Sequence, residues 1–229
     1  MANLSKAEWL ALEKKALELR KLCVQTTVWA GSGHFGGGMS VMDLLTVLYH
    51  KYLNIKVDDP KWDDRDRFIL SKGHAAIAYA PVLCDKGFNP VEMLKSFNLS
   101  GSKMGMHLDS NKVVGVDAST GSLGHGPSIA AGTALAARLQ NKDFLTYVVT
   151  GDGELVLDRE KNGYGITLDG DYANIVHIDI HSGYGPRYNM VIFNSVFDTM
   201  TEAETKELFG YDTIIAIDSE DFYPTTGDT

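Results

Sequence analysis

The chain has 229 residues, 44% hydrophobic and 22% charged, which is the ordinary composition of a globular protein with one sizeable core. Its formal net charge is −9, and Lys and Arg form no basic run. These features argue against a nucleic-acid-binding or anionic-membrane surface, so an anionic substrate would need a local binding site.

The first half of the chain alternates helical segments with a short strand. Ser5 and Glu8 form a capping-box pattern, and the apolar residues after them recur at helical spacing, which predicts a helix over 6–27. A glycine-rich loop is expected over 29–38. Further helices are expected over 39–53 and 75–87, with a short buried strand near 67–70 between them.

The second half continues this alternation after a loop over 98–122. The pattern predicts helices over 128–140 and 202–209 and strands over 144–150, 174–180 and 213–218, with an irregular stretch over 154–173. Strands that alternate with helices indicate an α/β fold, a mostly parallel sheet with helices on both faces. We expect all four strands in one sheet of a single domain over 1–229, with helices 6–27 and 128–140 packed on it. Ligands bind beyond the carboxyl ends of such strands.

The cysteines and the amino terminus bear on localisation. Cys23 and Cys84 lie in apolar, helical stretches and without metal-ligand spacing, which favours buried, reduced thiols. No apolar run approaches the roughly 18 residues of a membrane span, and the first 15 residues resemble an amphipathic helix rather than a signal peptide. We therefore expect a cytoplasmic protein.

Polar residues that can carry chemistry lie beside glycines. His34, His74 and His125 each follow a glycine, and His107 lies in the sequence GMHLDS. A single loop histidine is commonplace, but four near predicted element ends suggest phosphate contacts or proton transfer. Asp152 lies between two glycines after a buried strand, where a carboxylate suits a hard divalent cation or simply a strand-end turn.

Five stretches resemble the amino-terminal part of transketolase, particularly the split form made of two polypeptides. They are SGHFGG at 32–37, LSKGHAAIAYA at 70–80, MGMHLDS at 104–110, STGSLGHGPSIAAGTALAARL at 119–139 and VVTGDGE at 148–154. Their order and spacing are similar to those of the family. The resemblance covers residues 1–154 and implies a fold that binds thiamine diphosphate.

The resemblance implies a role for each matching residue. His74 contacts thiamine diphosphate, His34 and His107 face the substrate, and all three are catalytic residues. His125 occupies a position where many relatives carry glutamine. Asp152 ligates a magnesium or calcium ion. The full set of cofactor-binding positions is His74, Gly121, Ser122, Leu123, Gly151, Asp152, Gly153 and Glu154.

The chain departs from the family after Glu154, where an asparagine should complete the metal site. In one alignment this residue is Asn162. In the other the next strand begins at 174, which puts Ser182 at the asparagine position. A parallel crossover needs roughly a dozen residues, which favours the second alignment for the backbone, while the metal ligand itself stays open between the two.

The resemblance also implies transfer of a two-carbon ketol unit from a ketose, such as a sugar phosphate, to an aldose. In the family a glutamate on a second domain activates the cofactor, which implies a carboxy-terminal partner chain and a dimer of heterodimers. The alternatives are a component of a 2-oxo-acid dehydrogenase, a deoxyxylulose-phosphate synthase, and a non-catalytic homologue with an impaired metal site.

Overall fold

The chain forms two compact units, Met1–Ser182 and Gly183–Thr229. The computed structural model describes residues 4–151 and 154, together with the backbones of three strands at 175–179, 192–194 and 214–216. The expectation of one domain over 1–229 stays a prediction. The predicted helix 202–209 and the irregular stretch 154–173, apart from Glu154, lie outside the described residues.

Helices α1 and α2 begin the first unit. Helix α1, Lys6–Ala30, begins at the predicted capping box, in which the Glu8 backbone N–H donates to Ser5, and it ends at Gly31 in the left-handed conformation. Helix α2, Phe35–Val47, begins four residues before the predicted start because it incorporates three glycines of the expected loop. These glycines permit close packing: a β-carbon on Gly38 would lie 2.7 Å from the Ile77 side chain. A wider helical turn, Leu48–Tyr52, extends α2.

The remaining helices follow the predicted order. A short 3-10 turn, Gly73–Ala75, leads into α3, Ala76–Lys86, and a second 3-10 segment spans Val91–Ser96. Helix α4 spans His125–Leu139. Helix α1 packs mainly on α2 and α3, so the prediction that it lies directly on the sheet is wrong. The reason is that α2 and α3 carry the apolar surface that α1 covers.

Three parallel strands form the sheet of the first unit: β1, Arg67–Leu70; β2, Thr146–Thr150; and β3, Ile175–Asp179. Strand β2 lies in the centre, with Val149 opposite Leu70 on one side and Ile178 on the other. Side chains of β1 and β2 alternate between two faces. Phe68, Leu70, Tyr147 and Val149 join the main core with α1, α2 and α3, whereas Ile69 and Val148 pack with Ala130 of α4. This arrangement confirms the predicted α/β class.

The last predicted strand belongs to a different sheet. Strand β5, Ile214–Ala216, pairs in parallel with β4, Ile192–Asn194, in the second unit. The prediction that 213–218 joins the sheet of β1 to β3 is therefore wrong. Strand β4, which the sequence patterns did not predict, offers β5 a parallel partner, and the residues between them are numerous enough for a crossover connection.

Both cysteines are free and buried, as predicted. Burial raises the pKa of the Cys23 thiol to about 11 and that of Cys84 to about 12, so both stay protonated and unreactive near neutral pH. Within the described part of the chain, no helix is both long enough and apolar enough to span a bilayer.

Helix α4 touches the end of β1 through Gly126. A β-carbon at this position would lie 2.2 Å from Oγ of Ser71 and 2.8 Å from its Cα. Because backbone cannot move aside cheaply, we expect Gly126→Ala to lower the free energy of unfolding by about 2 kcal/mol. Urea unfolding monitored by circular dichroism measures this loss.

Gly132, on the same helix, provides the matched control. Nothing lies within 4 Å of a β-carbon built there. Alanine is a better helix former than glycine, so Gly132→Ala should leave stability unchanged or raise it by up to about 1 kcal/mol. Equal unfolding midpoints for the two variants would contradict the close approach of α4 to Ser71.

Candidate functional site

Three histidines gather near the carboxyl ends of β1 and β2, and we call His34, His74 and His107 the histidine cluster. His74 lies in the 3-10 turn after β1, and His34 precedes the first residue of α2. Their ring centroids are 5.1 Å apart, with the planes inclined at 70°. The packing of α2 on α3 therefore brings together two histidines separated by forty positions.

The electrostatics of the cluster keep His74 uncharged. Burial, together with the neighbouring His34, Lys72 and His107, lowers the pKa of His74, while Glu154 opposes this shift. A neutral imidazole carries one N–H donor and one acceptor nitrogen. At neutral pH, His74 can therefore donate a proton from one ring nitrogen and accept a proton at the other.

The loop before α4 forms the second wall of the site. Its Thr120 hydroxyl donates to the Leu70 carbonyl at 2.5 Å, which fastens the loop to the end of β1. Gly121 has a φ of 152°, and a β-carbon there would lie 2.8 Å from Cδ2 of His107. Only glycine therefore lets this loop approach the imidazole so closely. The next two residues, Ser122 and Leu123, are exposed.

Glu154 lies at the base of the site and is almost completely buried, at 2% exposure. Its carboxylate accepts a hydrogen bond from the Ser71 hydroxyl, one from the Gly124 N–H at 3.1 Å, and one from the Gly151 N–H at 2.7 Å. These donors follow β1, precede α4 and follow β2. One side chain thus connects three of the segments that carry predicted site residues.

The sequence patterns assigned no role to Lys72, although it lies in the SKGH motif beside His74. Its side chain is 3% exposed, and its ammonium donates to the Ser40 hydroxyl at 3.2 Å. The sequence signal that could have identified Lys72 is its position between a strand end and a glycine-flanked histidine. The positive charge of Lys72 lies close enough to His74 to help lower the pKa of that imidazole.

The predicted metal ligands Asp152, Asn162 and Ser182 and the predicted cofactor-binding residue Gly153 lie outside the described residues. Within the described part of the chain, no group of three or more His, Cys, Asp or Glu side chains is arranged to hold a metal ion. Of the remaining predicted positions, Gly121, Ser122 and Leu123 lie in the loop before α4, Gly151 directly follows β2, and Glu154 is helical. His125 is exposed at the start of α4.

Known proteins are similar to part of this chain. The chain is 39% identical over 143 residues to a 6-deoxy-6-sulfo-D-fructose transketolase subunit from Clostridium sp. (strain MSTE9), a match that covers 62% of this chain and 52% of that protein. It is also 39% identical over 143 residues to one of the apulose-4-phosphate transketolase subunits of Phocaeicola vulgatus, covering 62% and 50%. The chain thus spans about half the length of these relatives.

The fold and the sequence profile agree with these relatives. The structure superposes on the transketolase of Leishmania mexicana with a TM-score of 0.68 and 27% identity, covering 90% of this chain and 36% of that one. The family model described as the thiamine diphosphate binding domain of transketolase matches residues 12–159, more than half of the chain. This match includes the histidine cluster, the loop before α4 and the ends of β1 and β2. The chain belongs to the transketolase family.

Proposed function

We propose that this chain is the cofactor-binding subunit of a two-chain transketolase, which transfers a two-carbon ketol unit from a ketose to an aldose. The observation that carries the proposal is the histidine cluster at the carboxyl ends of β1 and β2, inside the matched thiamine diphosphate binding domain. The two relatives reported above are each named as a transketolase subunit, which supports a partner chain. Each is about twice as long as the matched region.

The described residues fit the proposed cofactor. Leu123 is exposed on the loop beside the histidine cluster, which suits contact with an aromatic ring, and His74 offers a neutral donor and acceptor. Bound thiamine diphosphate would supply the carbon nucleophile for ketose cleavage. Gly121 and Ser122 would lie along the cofactor, and Gly151 and Gly153 near its diphosphate.

The family resemblance and the positions of the three histidines support a separate role for each. His74, half-buried and neutral, would hold the cofactor and exchange a proton with it through a ring nitrogen. His34 and His107 flank it on separate segments and would donate to, or accept from, hydroxyl groups of the substrate. The resemblance to transketolase supports a sugar phosphate as the substrate.

The metal, the assembly and the location belong to the same proposal. Asp152 would ligate a magnesium or calcium ion at the end of β2, with Asn162 or Ser182 completing the site. A carboxy-terminal subunit would supply the activating glutamate, in a dimer of heterodimers. Two buried free thiols favour the reducing cytoplasm.

Isothermal titration calorimetry tests the proposal. Thiamine diphosphate should bind the chain in the presence of magnesium and more weakly after chelation of the metal, because the cation neutralises the diphosphate. The titration is repeated with the cognate carboxy-terminal subunit. Absence of binding under every one of these conditions would contradict the proposed function.

A further inference from the structure

Glu154 uses both of its carboxylate oxygens to accept hydrogen bonds from the protein. Its Oε2 accepts from the Ser71 hydroxyl and the Gly124 N–H, and its Oε1 accepts from the Gly151 N–H. The side chain is 2% exposed. A carboxylate in this setting is committed to the protein, which leaves little of it to contact a ligand.

The three donors lie on segments that must keep a fixed spacing for the site to exist. Ser71 immediately precedes Lys72 and lies three residues before His74. Gly124 ends the loop that carries Gly121 to Leu123 and is the last residue before α4. Gly151 follows β2 and precedes Asp152. A shift of any segment would therefore displace a different part of the site.

We propose that Glu154 is a positioning residue, which holds the ends of β1 and β2 and the start of α4 in the arrangement that binds thiamine diphosphate. It does so without contacting the cofactor. This inference rests on the proposed function and replaces the expectation, implied by the family resemblance, that Glu154 binds the cofactor directly.

A glutamine cannot perform this role, although it has the same shape. Both carboxylate oxygens accept from backbone N–H groups, whereas the amide of glutamine has one oxygen and one NH₂ group. In either orientation the NH₂ would face a backbone N–H and leave it without an acceptor. Glu154→Gln should therefore leave the backbone N–H of either Gly124 or Gly151 without an acceptor and let the segment that carries it move.

Asp66 provides a control with the same chemistry at the other end of the sheet. It is 6% exposed and accepts from the Leu145 N–H at 2.8 Å and from the Asn54 N–H at 2.9 Å. Asp66 directly precedes β1, and Leu145 directly precedes β2, so this carboxylate joins the amino ends of the strands. Asp66→Asn should cost comparable stability but leave the cofactor site intact.

The experiment compares Glu154→Gln, Asp66→Asn and the wild-type chain by thermal unfolding and by calorimetry with thiamine diphosphate and magnesium. Loss of hydrogen bonds to a charged acceptor should weaken cofactor affinity about tenfold or more in Glu154→Gln. Asp66→Asn should keep its affinity for thiamine diphosphate within about twofold of wild type, because substitutions at distant sites that share no partners act independently. Without cofactor, hydrogen exchange at the Gly124 or Gly151 amide should accelerate in Glu154→Gln alone.

Ser71→Ala serves if Glu154→Gln does not fold, because it removes one donor and keeps the two backbone donors. It should weaken affinity by about threefold to tenfold. Wild-type affinity in the variant that is used overturns the positioning role. The positioning role is also overturned if Asp66→Asn has the same unfolding midpoint as that variant and loses the same affinity for the cofactor. A wild-type chain that binds no thiamine diphosphate, either alone or with the cognate carboxy-terminal subunit, instead overturns the proposed function itself.

Discussion

Replacement of Asp152 by alanine should abolish the magnesium-dependent part of thiamine diphosphate binding. Asp152 comes two positions after the last residue of β2 in the sequence. The resemblance to transketolase assigns it to the metal. A diphosphate without its bridging cation keeps its full charge in a chain of net charge −9. Calorimetry with magnesium and with a chelator should give the same weak affinity for this variant.

Asp143 is the control for Asp152 because it lies at the opposite end of the same strand. It is exposed and precedes β2 by three residues. Asp143→Ala removes the same charge from the chain and should retain the full response to magnesium. A normal magnesium response in Asp152→Ala would show that another residue carries the metal.

A second large effect concerns the partner. We expect the purified 229-residue chain to show little ketol transfer by itself, even with saturating thiamine diphosphate and magnesium. The family match ends at residue 159, and the glutamate that activates the cofactor in the family lies on a second domain. A coupled assay of transfer from a ketose phosphate measures the rate with and without the cognate carboxy-terminal subunit.

The outcomes of this assay separate three cases. Activity that appears only with the partner supports a split enzyme. Multiple turnovers by the chain alone would contradict the need for a second subunit. No activity with the partner, combined with no cofactor binding, would favour a non-catalytic homologue whose metal site after Asp152 is impaired.

Periodic patterns predicted most of the elements in the first unit. The helix at α1, the strands at β1, β2 and β3 and the helix at α4 all lie close to their expected positions. Capping residues and continuous apolar runs are local signals, which a sequence displays directly. Glycine-flanked motifs marked His34 and His74 as candidates, the family resemblance added His107, and the packing of α2 on α3 supplies the reason why His34 and His74 meet.

The errors have a different physical origin. Helix α2 begins inside a glycine-rich stretch, where low helix propensity is outweighed by the close packing of Gly38 on Ile77. Strand β5 pairs with β4 because sheet partners are set by tertiary contacts, which local patterns do not record. The hydrogen bonds of Glu154 to Ser71 and Gly124 join residues at least thirty positions apart and give no local signal.

The central claim is that thiamine diphosphate binds at the histidine cluster, and histidine NMR tests it most directly. The imidazole signals of His34, His74 and His107 should shift when the cofactor and magnesium are added. The signal of His50, whose Nε2 lies 3.3 Å from Asp85, should stay unchanged as an internal control. Cofactor binding that leaves all three cluster signals in place would contradict the account.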